Sequence, residues 1–131
     1  PSLIRRFHEA KLHNKPTVTL WGSGKPTREF LFVDDLASAC AFLLENYSSP
    51  EIINIGTGAE ISIRDAAEAI KTIIGYTGEI QWDTTQPDGN PRRLLDVSRM
   101  AKLGWKASTD FREGVARTYQ WFLENRATAR V

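Results

Sequence analysis

The chain has almost no cysteine, no long apolar run and almost no net charge. One cysteine in 131 residues excludes a disulfide within the chain and a cysteine metal cluster. No apolar stretch approaches the roughly 20 residues of a membrane span, and the first residues show no signal-peptide core. With 17 basic and 16 acidic residues, the chain offers no broad charged surface for nucleic acid or anionic lipid. We expect a soluble, cytoplasmic protein whose anionic ligands, if any, are bound by local charges.

A length of 131 residues suits one domain, in which helical and extended patterns alternate. Apolar residues at helical spacing predict about five helices, over 2–13, 35–46, 62–75, 96–104 and 110–125. Short apolar runs predict strands at 18–21, 30–33, 52–55 and 79–83, whereas 84–91 reads as a surface loop. This alternation predicts an α/β fold, with strands too short for a complete doubly wound sheet.

Some side chains have a predicted place in these elements. Ser62 and Asp110 each precede an acidic residue by three positions and are expected to cap helices, as is Asp34 or Asp35. Cys40 lies on the apolar stripe of its helix and is expected to be a buried, inert thiol. The two histidines, His8 and His13, are five positions apart and therefore do not form a metal pair on one helical face. We expect both to be solvated.

Residues 21–35 combine a tight loop, an apolar run and a helix start. Gly22 and Gly24 permit backbone conformations closed to other residues, and Pro26 stiffens the loop. Arg28 follows with a planar fork of five donors, which suits a phosphate or a carboxylate. The pattern predicts a site for a polar ligand.

Two glycine-rich segments fail as nucleotide motifs. Gly56-Thr57-Gly58 follows an apolar run and precedes a helix, but Ile61 stands where a dinucleotide fingerprint has its third glycine. Residues 22–25 are similar to a phosphate loop, but Pro26 occupies the position of the magnesium-binding Ser or Thr. These glycines are predicted to permit tight turns.

Four arginines lie beside loops or at the start of the chain: Arg6, Arg28, Arg92 and Arg93. If they cluster in space, they would bind a diphosphate. Each arginine taken alone also fits a solvated surface position, so both interpretations stay open.

Several segments resemble the carboxy-terminal part of the GDP-L-fucose synthase family, which belongs to the extended short-chain dehydrogenases/reductases. The resemblance covers nearly the whole chain and is carried by residues 1–10, 21–35, 53–58, 87–96, 103–105 and 118–125. The Arg-Arg-Phe-His-Glu helix of residues 5–9 and the Pro-Asp-Gly-Asn-Pro-Arg loop of 87–92 are the narrow signals. The strand, the Asp-Asp helix and the Gly-Thr-Gly segment are shared with many extended reductases and sugar-nucleotide epimerases.

The resemblance implies a set of substrate-binding residues. In the family, the positions matching Arg6, Trp21 and Arg28 contact the GDP-sugar. The loop that carries Asp88 and Arg93 lies near its nucleotide and diphosphate. The family commonly has lysine where this chain has Arg93, which keeps the charge and changes its geometry.

The resemblance also implies an activity whose catalytic groups are missing here. The family epimerises GDP-4-keto-6-deoxy-D-mannose at two carbons and then reduces it with NADPH, using a Tyr-x-x-x-Lys motif. The tyrosines of this chain lack that lysine, because Glu51, Ile80 and Leu123 stand four residues after Tyr47, Tyr76 and Tyr119. We therefore expect no catalytic, cofactor-binding or metal-binding residue in this chain, and no turnover by the chain alone.

The implied organisation is a substrate-binding domain over 1–125, a tail over 126–131 and an amino-terminal NADP-binding domain outside this chain. The full-length enzyme is expected to be a cytoplasmic homodimer that binds neither nucleic acid nor membrane. Two alternatives stay open. The chain could be the substrate domain of another nucleotide-sugar epimerase or dehydratase, or a non-catalytic module that binds sugar nucleotides.

Overall fold

A computed structural model describes residues 2–126, which form five helices and five short strands. The helices are α1 (Ser2–Leu12), α2 (Val33–Asn46), α3 (Ile63–Ile74), α4 (Ser98–Leu103) and α5 (Phe111–Glu124). The strands are β1 (Thr17–Trp21), β2 (Thr27–Arg28), β3 (Ile61–Ser62), β4 (Glu79–Asp83) and β5 (Arg92–Arg93). The predicted mixed α/β fold with about five helices is confirmed. Of the predicted tail, 127–131 lie outside the described residues.

The strands of the described chain form two small sheets. β1 pairs with β4 in parallel, with Val18 opposite Ile80. In the second sheet β2 lies between β3, which is antiparallel to it, and β5, which is parallel. Because a parallel pair needs a long connection, α2 and α3 lie in the chain between β1 and β4.

A first hydrophobic core joins three helices to β1. Its members are spaced so that one face of each helix is apolar, which is why these segments fold as amphipathic helices. Phe7 of α1 and Ile74 of α3 are fully buried there, beside Leu20 of β1 and Phe122 of α5. None of the helices within residues 2–126 is long and apolar enough to cross a membrane.

A second, smaller core lies under α2 and α4. Ala39, Met100 and Trp105 are buried in it, and Ile53 and Ile55 pack against them. The indole nitrogen of Trp105 donates a hydrogen bond to Ser38 Oγ at 3.3 Å. This core positions the chain that leads from α2 towards β3.

The predicted caps of α3 and α5 are confirmed. Ser62 Oγ accepts the backbone N–H of Asp65 at 3.0 Å, and Asp110 Oδ1 accepts that of Glu113 at 3.0 Å. Gly75 ends α3 with a φ of 71°, a conformation that favours glycine.

The predicted cap of α2 is wrong. Phe32 is the N-cap residue and makes no side-chain cap, so Asp34 and Asp35 fall in the first turn. Asp35 is buried and accepts hydrogen bonds from Thr109 N at 2.9 Å and Ser108 Oγ at 3.0 Å. Burial raises the pKa of this carboxyl, but the hydrogen bonds outweigh it and hold the pKa below its usual value. Asp34 forms an ion pair with Arg117 of α5. Both acidic groups therefore tie α2 to the α5 region.

Two predicted strands are also wrong. Residues 30–32 and 52–55 carry no strand pairing, and α2 begins at Val33. Both segments have strand-like sequences, but no partner strand lies beside them in the described part of the chain. A strand requires a neighbour, which the local sequence cannot supply.

The structure corrects two burial predictions. Cys40 is exposed, because the inward face of α2 is formed by Ala39 and Leu43. His8 is buried, and its Nδ1 lies 2.9 Å from the hydroxyl of Tyr119 on α5. Burial lowers the pKa of His8, and the positive charges of Arg126 and Lys11 lower it further. His13 is exposed, as predicted.

Candidate anion-binding site

Two loops meet at one edge of the β1/β4 pair. Because these strands are parallel, the loop after Trp21 and the loop after Asp83 start side by side, and Gly22 N donates to Asp83 O at 2.9 Å. Between the loops lies a cavity of about 90 Å³. It is lined by Trp21, Gly24, Pro26, Arg28, Ile63, Pro87, Asp88 and Gly89. Three of the five predicted substrate-binding residues are in this set.

Asp88 joins the two loops. Its Oδ1 accepts the backbone N–H of Ser23 at 2.7 Å, and its Oδ2 accepts the Ser23 hydroxyl at 2.6 Å. The hydrogen bond from the Ser23 side chain, together with that from its N–H, holds the pKa of Asp88 below its usual value. Gly22 makes this approach possible, since its φ is 80° and a Cβ there would collide with the carboxylate of Asp88. In this geometry Asp88 fixes the loops in position.

Arg28 is anchored on one side and open on the other. Its Nη1 donates to Thr27 O at 2.6 Å and to Asn90 O at 2.7 Å. Gly89 leaves room for the guanidinium, because a Cβ there would lie 3.2 Å from Arg28 Nη2. Nε and Nη2 have no acceptor among residues 2–126, so the edge of the fork that these two nitrogens form can meet an anion.

Arg93 lies beside Arg28. In the parallel pairing of β2 with β5, Arg28 is opposite Arg93. Two cations in neighbouring strands repel each other unless an anion lies between or above them. Arg93 is exposed and makes no hydrogen bond or ion pair within the described range.

Arg92 has a different environment. Successive residues of a strand point to opposite faces, so Arg92 points away from the side of Arg93. Its Nε pairs with Glu60 Oε2 at 2.8 Å, and this bond raises the pKa of Arg92 and lowers that of Glu60. Arg28 and Arg93 are therefore opposite each other in paired strands, whereas Arg92 is paired with Glu60. The arginine cluster expected from the sequence stays a prediction.

Trp21 offers an open aromatic face at the rim of the cavity. Its relative exposure is 70%, which is unusual for tryptophan. Trp82, in the paired strand, is instead covered, because the Arg64 guanidinium lies 4.7 Å from its ring centroid. Only one of these two indoles is thus available for stacking on a ligand.

Sequence reasoning missed Arg64 and Ser23. Arg64 Nη2 donates to Ser23 O at 2.7 Å, so α3 braces the same loop that Asp88 holds. One signal was present in the sequence: Arg64 lies in the first turn of α3, where the helix dipole disfavours a cation. A basic residue there suggests a specific partner.

Arg6 is not brought to the cavity. It is exposed on α1 and does not line the space between the two loops. Its predicted role in substrate binding therefore stays a prediction.

The Gly-Thr-Gly segment is occupied by a carboxylate. Glu29 Oε1 accepts the backbone N–H of Gly58 at 2.6 Å, and Glu29 Oε2 accepts that of Leu95 at 3.1 Å. A Cβ at Gly56 would collide with the same carboxylate. A dinucleotide phosphate cannot use an N–H that already binds Glu29, so these residues do not fit a dinucleotide cofactor.

A larger groove of about 490 Å³ lies elsewhere on the molecule. It is lined by residues of 57–61 and 107–111 together with Phe30, and its charged lining residues are Glu60 and Asp110. Among residues 2–126 no cation lines this groove, whereas the smaller cavity has Arg28 beside Asp88, whose two carboxylate oxygens are engaged by Ser23, so the smaller cavity is the better candidate for an anion despite its size.

The chain is similar to known proteins over most of its length. Residues 1–56 match the model of the NAD dependent epimerase/dehydratase family. The chain is 52% identical over 125 residues to a putative GDP-L-fucose synthase 2 of Arabidopsis thaliana, covering 95% of this chain and 38% of that protein. It is 47% identical to the GDP-L-fucose synthase of Escherichia coli K12, covering 95% of this chain and 42% of that protein.

A solved structure shares the fold. The GDP-L-fucose synthetase of Naegleria fowleri bound to NADP has a TM-score of 0.94 and 32% identity to this chain. The match covers all of this chain and 41% of that one. The chain thus spans about two-fifths of the length of the relatives that it matches.

Proposed function

We propose that this chain, a homologue of GDP-L-fucose synthases, is the carboxy-terminal substrate-binding part of such an enzyme. In the proposal it binds GDP-4-keto-6-deoxy-D-mannose, which the complete protein epimerises and reduces to GDP-L-fucose. The observation that carries the proposal is the pair of neighbouring cations Arg28 and Arg93 beside the exposed ring of Trp21. The sequence similarity supplies the identity of the sugar nucleotide.

The two arginines suit a diphosphate. The open Nε/Nη2 edge of Arg28 provides two parallel donors, and Arg93 adds a second charge one strand away. The 90 Å³ cavity is too small for a whole nucleotide sugar, so we assign it to a phosphoryl group. The rest of the ligand would then lie on the open surface, where Trp21 can stack on it.

The role of this part in catalysis is positioning. A diphosphate fixed by two charged residues presents the attached sugar in one orientation. The Ser23–Asp88 and Arg64–Ser23 hydrogen bonds hold the loop in place before the ligand arrives. Binding then requires less ordering of the protein, which favours affinity.

NADPH supplies the hydride in this proposal, and the Gly-Thr-Gly segment does not fit it, because Glu29 already accepts the N–H of Gly58. We assign cofactor binding and the proton-transfer groups to the rest of the polypeptide. The domain bounds, 1–125 with a tail over 126–131, and the cytoplasmic homodimer belong to the same proposal.

The experiment uses the complete polypeptide encoded by the natural gene. Its turnover of GDP-4-keto-6-deoxy-D-mannose with NADPH is measured while GDP, GMP, UDP and dTDP compete. We expect GDP to inhibit at a concentration at least about tenfold lower than GMP, because GMP lacks the second phosphate. A preference for UDP or dTDP over GDP would overturn the assignment of the base. Equal inhibition by GDP and GMP would overturn the diphosphate site.

A further inference from the structure

Strands β2 and β5 are only two residues long, yet they hold two cations side by side. Arg28 lies opposite Arg93 in this parallel pair, and like charges on neighbouring strands repel each other. A ladder of two residues supplies few backbone hydrogen bonds to oppose that repulsion. The pair therefore depends on side-chain contacts to stay together before an anion is bound.

Side chains from β2 and from the residue after it hold β5 at both of its ends. At the start of β5, Arg28 Nη1 donates to Asn90 O at 2.7 Å. That bond does not reach the chain after Arg93. There the backbone N–H of Leu95 donates to Glu29 Oε2 at 3.1 Å. Glu29 thus fastens the exit of β5 to the end of β2.

The other carboxylate oxygen fixes the Glu29 side chain itself. Oε1 accepts the backbone N–H of Gly58 at 2.6 Å and the hydroxyl of Thr57 at 3.2 Å. Gly56 leaves room for this oxygen, because a Cβ there would lie 2.4 Å from it. Successive residues along a strand point to opposite faces, so Glu29 points away from the face of Arg28. The carboxylate therefore joins the Gly-Thr-Gly segment to the exit of β5 without lining the anion cavity.

We infer that Glu29 is a positioning residue for diphosphate binding, because its carboxylate holds β5 where Arg93 lies beside Arg28. Glu29 acts through Arg93 and makes no contact with the ligand. The inference rests on the proposed function, since it assigns Glu29 a part in the same diphosphate site.

A carboxylate suits this position better than the corresponding amide. Each oxygen of Glu29 accepts a backbone N–H, one from the Gly-Thr-Gly segment and one from the exit of β5. A glutamine has one acceptor oxygen, and its NH₂ group would face the N–H of the segment that the oxygen does not reach. Glu29→Gln therefore releases one of the two segments with almost no change in side-chain volume.

The test is calorimetric titration of GDP into the complete natural polypeptide and its variants. We expect Glu29→Gln to weaken GDP binding at least about fivefold when Arg93 is present, and less than about twofold in an Arg93→Ala background, because Glu29 acts through Arg93. The matched control Glu68→Gln removes an exposed carboxylate of α3 that pairs with Lys71, and GDP affinity should stay within about twofold. Unchanged affinity in Glu29→Gln, equal losses in both backgrounds, or an equal loss in the control would overturn the inference.

A second test leaves Glu29 in place. The methyl group of Gly56→Ala would displace the carboxylate, so GDP binding should weaken in the same direction as in Glu29→Gln. Because coupling between two sites is reciprocal, saturating GDP should slow hydrogen exchange of the Leu95 amide in the unaltered protein at least about fivefold. Unchanged GDP affinity in folded Gly56→Ala would contradict the inference. So would a Leu95 amide that exchanges equally fast with and without GDP, a measurement that needs no variant to fold.

Failure of the inference and failure of the proposed function give different results. If Arg28→Ala and Arg93→Ala weaken GDP binding but Glu29→Gln does not, the diphosphate site stands and only the role of Glu29 is overturned. If neither arginine variant changes GDP affinity, the diphosphate site and the role of Glu29 are both overturned.

Discussion

At the scale of single residues, the groups of the candidate site differ in how far they are engaged within the protein. Arg28 has open donors, whereas both carboxylate oxygens of Asp88 are engaged by Ser23. Asp88 was predicted to bind substrate, and the geometry adds a positioning role through the loop. The two roles have different consequences for mutants.

We expect Asp88→Ala to raise the KM for the GDP-sugar on the order of 10-fold with little change in kcat, because the loop loses its fixed position. Ser23→Ala should raise KM in the same direction, and steady-state kinetics of the complete enzyme measures both. If Asp88 acts through Ser23, the double variant is no worse than Asp88→Ala. Fully additive effects would show that Asp88 contacts the ligand independently.

His8 predicts a pH dependence of stability. Its pKa in the folded protein is lowered, chiefly by burial, below the usual value of 6.5. Between these two pKa values the unfolded chain binds more protons than the folded one, so stability rises with pH and falls as pH drops below about 6.5. Chemical denaturation from pH 5 to 7.5 should show this slope, and His8→Gln should reduce it. An NMR titration of the His8 ring with a midpoint above 6.5 would contradict the prediction.

At the scale of elements, the loop between β1 and β2 depends on glycine at defined points. Gly24 has a φ of 75°, and a Cβ there would lie 2.7 Å from Trp82 Cη2. Gly104 has a φ of 103° at the end of α4, with nothing within 4 Å of such a Cβ. An added side chain would be strained by the positive φ at both positions, but it would meet a neighbouring side chain only at Gly24.

We therefore expect Gly24→Ala to destabilise the protein more than Gly104→Ala. The strain of a positive φ costs about 1–3 kcal/mol in both variants, and the collision with Trp82 adds to it in the first. Displacing Trp82 also disturbs Arg64, so Gly24→Ala should raise the KM for the GDP-sugar as well. Urea denaturation and steady-state kinetics measure these effects. Equal losses of stability would remove the role assigned to the contact.

The helices could be predicted from the sequence because their signals are local. The caps at Ser62 and Asp110 and the glycine at position 75 act within a few residues, and the helical spacing fixes which face is apolar. The lack of strand pairing in 30–32 and 52–55 could not be predicted from the sequence, since a strand also requires a partner strand. The burial of Cys40 was wrongly predicted because the apolar residues of α2 do not all face the core: Ala39 is buried, whereas Leu36 and Leu44 are exposed like Cys40.

The candidate site was partly predictable. The loop glycines and Arg28 are visible in the sequence, and the resemblance points to Trp21, Asp88 and Arg93. The pairing of β2 with β5, which places Arg93 beside Arg28 and turns Arg92 towards Glu60, joins segments more than 60 residues apart. The Arg64–Ser23 contact likewise depends on the tertiary fold.

At the scale of the whole molecule, two cores and two small sheets position the candidate anion site. The first core fixes β1 and α3, which carry Trp21 and Arg64, and the second core fixes the chain that leads to β3. The site is formed by loops anchored on these elements. The proposed function requires that Arg28 and Arg93 together bind the diphosphate of a sugar nucleotide.

Calorimetric titration of GDP into the complete protein and three variants tests this claim most directly. We expect Arg28→Ala to weaken GDP binding by about 1.5–3 kcal/mol, the loss of a hydrogen bond to a charged group, and Arg93→Ala to weaken it in the same direction. Arg92→Ala removes an arginine that Glu60 already neutralises and should leave GDP affinity within about twofold. An unchanged affinity for GDP in Arg28→Ala, with the protein folded, would contradict the account.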